Sequence, residues 1–204
     1  MSAAKIILPP PPAARARVSA VTYPLDEFYA ARSLRMPLLE QISPAQMPEP
    51  YRSLLVHDSD MTSRLEAFYG STIHIRLVAR HNHRADYFRE VVLELDRSHE
   101  PVEYGAIRIV LDTFPAEARE EVLREKEPLG RILHNYHIAF TSRPDAFFQM
   151  AADEFISESL QLTGRPQLFA RRNTLYDVRH QPLAEIIEIL TPINRPATGP
   201  ANTK

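Results

Sequence analysis

Apolar residues recur along this chain at two different spacings. Between Ser59 and Tyr69, Met61, Leu65 and Phe68 fall three or four apart, the period of a helix. Asp58 or Ser59 stands where a cap is needed. Gly70 follows the last apolar residue at the position that ends a helix, so a helix is expected over 59–69. The period then changes to two. Ile73, Ile75 and Leu77 alternate with Thr72, His74 and Arg76, which predicts a half-buried strand over 71–80. Tyr87–Leu95 reads as a second strand. Val102–Leu111 is its partner across the polar turn Asp96-Arg97-Ser98-His99-Glu100. Pro115 opens a short charged helix that reaches Glu125, and Pro128–Asn135 begins another helical segment. Leu168–Val178 and Ala184–Leu190 form a second hairpin that turns at Arg179-His180-Gln181-Pro182. Its last strand is β-branched enough to be central.

Strands thus come in hairpins, with helices between the pairs. That order predicts an α+β fold: a single domain with an antiparallel β-sheet and helices packed on one side. The 18 prolines are unevenly placed. Pro9–Pro12 read as an extended arm, so residues 1–24 are expected to be a disordered Pro-rich arm. Residues 193–204 have no periodicity and are expected to be a disordered tail, leaving 25–192 as the domain. The prolines between Met36 and Pro50 predict a connector with little regular structure. No internal repeat is present.

Composition narrows the chemistry. The chain has 204 residues, 44 % hydrophobic and 25 % charged, which suits one globular core. Its formal net charge is −2, so no bulk field favours nucleic acid, and any anion must be held by locally placed arginine. Cysteine is absent, which excludes disulfides, thiolate nucleophiles and Cys-based metal sites and fits a cytoplasmic protein. No apolar run reaches the roughly 18 residues of a membrane span. The apolar patch before Pro9 is too short for a signal peptide.

A Gly-rich phosphate loop, a His-Glu-x-x-His helix and a Gly-x-Ser-x-Gly elbow are all missing from the sequence. His81 and His83 stand one residue apart, flanked by Asn82 and Arg84. A solvated loop is the plain reading and a metal pair the sharper one. His134 and His137 lie three apart without a convincing third ligand. Neither pair, and no other feature, calls for a metal or cofactor.

Three segments, taken in order, resemble the chorismate pyruvate-lyase (4-hydroxybenzoate synthetase)-like family. The first, Leu54 to Glu66, is similar to the family's Asp-Ser-Met-Thr opening helix with one extra residue, Asp60. The second is Tyr87-Phe88-Arg89-Glu90 followed by Glu100-Pro101-Val102. The third is Pro128-Leu129-Gly130-Arg131. A weaker fourth match is the final hairpin, opened by Arg171-Arg172, with Glu188 four residues before Pro192. The resemblance implies an antiparallel sheet with helical flaps over a buried ligand site. It also implies a cofactor-independent carbon–oxygen lyase that eliminates pyruvate from chorismate to give 4-hydroxybenzoate. Arg89 and Glu188 would be its catalytic residues, with Met61, Leu129 and Arg131 binding substrate. The same fold also implies an alternative: a non-catalytic, effector-sensing module for a small aromatic carboxylate. Such sensors normally follow a DNA-binding domain, for which residues 1–49 are too Pro-rich.

The residues themselves speak to two of these roles. Alternation puts Arg89 on one side of its strand with Tyr87, Val91 and Leu93. An arginine among apolar neighbours needs a partner. Glu188 likewise shares parity with Ile186 and Leu190. Arg131 could neutralise a second carboxylate or cap its own helix. The expected partner is a small cyclic carboxylate; the sequence leaves the oligomeric state open.

Overall fold

The computed structural model describes residues 6–7, 21–83 and 86–193. Most of the expected arm (1–5 and 8–20), Arg84, Ala85 and the expected tail from 194 onward lie outside these residues. The strands are β1 (Ile6–Ile7), β2 (Glu40–Ile42), β3 (Ile73–His83), β4 (Asp86–Leu95), β5 (Pro101–Val110), β6 (Thr141–Ala151), β7 (Gln167–Tyr176) and β8 (Pro182–Leu190). The helices are α1 (Leu25–Ala31), α2 (Tyr51–Leu55), α3 (Met61–Tyr69), α4 (Ala116–Arg124), α5 (Leu129–Asn135) and α6 (Glu154–Ser159). Among the described residues no helix is long and apolar enough to cross a membrane.

All strands join one sheet in the order β1-β3-β4-β5-β8-β7-β6-β2. Seven of them are antiparallel to their neighbours, and only the two-residue β1 runs parallel to β3. This is the expected α+β architecture. The hairpins β4–β5 and β7–β8 stand where the alternation placed them, and β5 pairs with β8 to join them. Strand β6 carries Pro144 inside its run, with a break in register between Pro144 and Ala146, so its apolar residues do not alternate in step. The connector expected over Met36–Pro50 holds the three-residue β2 and a 3-10 turn at Pro44–Gln46.

The central strands are buried on both faces. One face carries Val91, Leu93, Ile107 and Ile186. Leu54 and Leu55 of α2, Met61 and Leu65 of α3, Val122 of α4, and Leu129 and Ile132 of α5 pack over it. These are the flap helices. The opposite face carries Phe88, Val92, Tyr104 and Ile187 and is covered by Leu25, Phe28 and Tyr29 of α1 and Ile156 of α6. Helical cover on this second side adds to the expected arrangement.

Cover on both faces strips water from every charge on these strands, so each needs an internal partner. Glu90, on the second face, accepts hydrogen bonds from Arg32 and from the Tyr104 hydroxyl. Burial still raises its carboxyl above the usual range. The Arg32 guanidinium also lies 4.5 Å from the Phe155 ring centre, which ties the end of α1 to α6. Tyr29 donates to Asp153 Oδ2 at 2.8 Å, and Asp153 in turn caps α6 by accepting from Ile156 N.

The reading of His81 as part of a solvated loop is corrected. Strand β3 continues through it, and its ring stacks on Phe88 (centroids 4.5 Å) and meets Phe28 edge-on. Neither ring nitrogen has a hydrogen-bond partner among the described residues. Burial, reinforced by the neighbouring charges of His83 and Arg32, lowers its pKa from 6.5 to about 4. The folded value lies below the unfolded one, so the neutral ring favours the fold above pH 6.5. That contribution is lost as pH falls toward 4. His81→Phe keeps the ring contacts and removes the titration. In urea unfolding, the variant should gain on the wild type by about 2 kcal/mol between about pH 7.5 and about pH 5. A constant difference between them would mean that His81 does not titrate in this window.

Candidate functional site

Beneath the flap helices the sheet leaves a small cavity of about 50 Å³. Its floor comes from β4, β5, β7 and β8, which contribute Arg89, Val91, Glu103, Gly105, Asn173 and Glu188. Its roof is the start of α3 (Asp60, Met61, Thr62) and of α5 (Pro128, Leu129, Gly130). Four of the five residues expected at a site therefore line one space: Arg89, Glu188, Met61 and Leu129.

Arg89 is 1 % exposed. Among the described residues its Nη2 has a partner, the carbonyl oxygen of Glu127 at 3.3 Å, while Nε and Nη1 have none. Burial pulls its pKa down from the ordinary arginine value. A buried guanidinium with two unused nitrogens is costly as it stands, and its charge favours an anion beside it.

The other end of the floor is acidic. Glu188 sits opposite Gly105 on β5 and opposite Arg171 on β7, whose Nε donates to Glu188 Oε2. Arg171 is fully buried and also donates through Nη1 to the carbonyl oxygens of Leu55 and His57, at 3.2 and 3.1 Å. The guanidinium thus fixes the chain between α2 and α3. It also adds to the burial that lowers the His57 pKa to about 4. Glu103 is 3 % exposed and its Oε2 has no partner. Burial and the nearby Glu188 carboxylate push the Glu103 carboxyl well above its usual range, against the pull of Arg171. Along β5, Glu103 lies four residues from Ile107, the partner of Arg89. At the rise of an extended strand, that separates cationic and acidic ends by about 13 Å. Gly105 lies between them.

The roof depends on close contact between its two helices. Asp60, the extra residue of the opening motif, is the cap of α3 and accepts from Ser63 N at 2.8 Å. The cap is thus one residue later than Ser59 and two later than Asp58. A Cβ on Gly130 would stand 2.6 Å from Asp60 Oδ1, so only glycine lets α5 approach this cap.

Arg131 stands apart from the cavity. It pairs with Glu127 at 2.8 Å and with Glu66 of α3, and it donates to the carbonyl oxygen of Ile73 at 2.9 Å. With its donors committed to the protein, it clamps α5 onto α3 and the start of β3. Tyr104 and Arg108 also serve the sheet, through Glu90 and through Asp86 and Glu185 respectively.

Sequence reasoning missed Glu103 and the role of Arg171. The parity argument that singled out Arg89 would have found both. Glu103 alternates with Gly105, Ile107 and Ile109, and Arg171 with Phe169 and Leu175.

The sequence matches no protein-family model and no curated protein. In fold the chain is similar to PhnF from Mycobacterium smegmatis, with a TM-score of 0.52 and 14 % identity over 84 % of this chain and 94 % of that one. It is also similar to the effector domain of the same PhnF, with a TM-score of 0.50 and 16 % identity over 65 % and 88 % of the two chains. A GntR-family transcriptional regulator from Bacillus cereus matches with a TM-score of 0.41 and 13 % identity, over 54 % and 75 %. The chain has the chorismate lyase-like fold.

The expectation of a carbon–oxygen lyase is corrected. PhnF and its effector domain share the fold, and a shared fold carries no lyase name.

Gly105 supplies a local test of the cavity. An added Cβ would make only ordinary contacts, 3.4 Å to Val91 Cγ2 and 3.5 Å to Glu103 Oε1, so Gly105→Ala should fold normally. The methyl would project into the floor between the two polar ends. A thermal melt within a few degrees of wild type, with at least tenfold weaker binding of any small molecule held in the cavity, is the expected outcome. Unchanged binding would place the ligand elsewhere.

Proposed function

We propose that this domain is a non-catalytic binding module for a small cyclic or aromatic carboxylate. Arg89 grips the carboxylate. Val91, Leu93, Ile107 and Ile186 enclose the ring, and Glu103 and Glu188 meet a polar substituent at the far end. The observation that carries this reading is the buried Arg89 guanidinium, which lines the cavity and has no ion-pair partner among the described residues. A carboxylate there would answer the charge and accept from its unused N–H groups. Backbone N–H groups of Met61 and Leu129, at the starts of the roof helices, would supplement the grip. The likeness to the effector domain of PhnF supports an effector-sensing use of the same cavity.

Arg89→Met separates a binding role from a structural one. A ligand arginine kept buried and unpaired weakens the empty fold, so its replacement should leave the ligand-free protein as stable as wild type or more so. The same change should weaken 4-hydroxybenzoate or benzoate binding by roughly 100-fold, about 3 kcal/mol, in isothermal titration calorimetry. A variant that melts several degrees lower and still binds would show that Arg89 is there for the fold.

A further inference from the structure

Where the β4–β5 hairpin turns, three potential metal ligands converge. His74 on β3 and Glu94 on β4 are direct cross-strand partners. His99 reaches them from the turn, where its backbone takes the left-handed conformation at φ 56°. One donor atom from each of the three lies within 4.8 Å of the others. The His74 and His99 rings meet edge-on with centroids 5.4 Å apart.

The hydrogen bonds around the cluster fix its polarity. Asp96 Oδ1 lies 2.7 Å from His74 Nδ1, and the Thr72 hydroxyl donates to Asp96 Oδ2. With Nδ1–H donated to Asp96, the lone pair of the His74 imidazole lies on Nε2. That Nε2 faces Glu94 Oε2 at 3.5 Å. The other Glu94 oxygen accepts from Arg76 Nε, and Arg76 is held in turn by the carbonyl oxygen of Ser159 at 2.7 Å. Two electron-rich atoms thus face each other across a gap that a cation would fill.

We propose that His74, Glu94 and His99 form a binding site for a divalent transition metal, zinc being the ion whose chemistry fits best. Two imidazoles and one carboxylate are a zinc donor set, with water in the fourth position. Tetrahedral ligands at bonds of about 2.0–2.1 Å stand about 3.3 Å apart. The His74–Glu94 pair already has that spacing, and the exposed His99 on its turn closes the remainder. Asp96 on His74 is the outer carboxylate that commonly orients a metal-bound imidazole. Arg76 beside Glu94 weighs against a more highly charged ion and favours one that draws its affinity from nitrogen donors. Bound metal would staple the start of β3 to the β4–β5 turn. This site does not rest on the carboxylate-binding cavity.

The test uses the full chain without an affinity tag, stripped with a chelator and dialysed against micromolar zinc. One zinc per chain is expected, with a raised melting temperature. Cobalt substitution should give the visible absorption bands of a tetrahedral site. His74→Ala should abolish both signals. His99→Asn, which tolerates the left-handed turn, should weaken binding at least tenfold, with its far-ultraviolet circular dichroism unchanged. Asp96→Asn should weaken it roughly 10–100-fold. No zinc retained at tens of micromolar would overturn the proposal and leave a proton as the occupant of the gap. Zinc retained equally by His74→Ala and His99→Asn would overturn it too, and would assign the ion to other histidines such as His134 and His137.

Discussion

A sheet covered on both faces cannot leave a charge on its central strands without an internal answer. This constraint organises the molecule. On one face Glu90 is answered by Arg32 and Tyr104, and the answer holds α1 in place. On the other, Glu188 is answered by Arg171, which also grips the chain leading into α3. At the edge of that face, Glu125 at the end of α4 takes Arg80 and the Tyr87 hydroxyl. Each of these charges is tied to a helix that covers the sheet, so electrostatic compensation and tertiary packing are the same set of contacts. Arg89 and Glu103 stand outside the scheme, and both border the cavity. Unlike Glu90 and Glu188, neither has an ion-pair partner among the described residues.

The roof over that space is a joint between two short helices. The Pro-Leu-Gly-Arg segment makes the joint in two ways. Gly130 admits the cap residue Asp60, and Arg131 reaches across α3 to Glu66 and down to the start of β3. Isolated helices of this length are marginal in water, so α5 owes its form to these contacts more than to its own propensity. Arg131, by resemblance a substrate residue, is the clamp of the roof.

Much of this was legible beforehand because alternation in a strand is a strong and simple signal. The β4–β5 and β7–β8 hairpins, helix α3 and the facing of Arg89 and Glu188 all follow from residue parity or helical spacing. What escaped was of two kinds. Strand β6 was hidden by Pro144 and the register break beside it, and α1 and α6 were too short to show a period. His81 misled for a different reason. Its polar neighbours Asn82 and His83 suggest water, whereas the ring is buried by Phe28 and Phe88, residues far from it or across the hairpin. Arg131 shows that a residue's charge type can be read from sequence while its partners cannot.

The sheet's open border has its own consequence. Strand β6 has 11 residues, but the three-residue β2 pairs only with Phe147, Phe148 and Gln149. The stretch of β6 before them, Arg143-Pro144-Asp145, carries a proline that lacks a donor, two exposed charges and a register break. These are the features that prevent a foreign strand from docking along a backbone edge. The irregularity that hid β6 from the sequence pattern thus guards this margin of the sheet against runaway self-association.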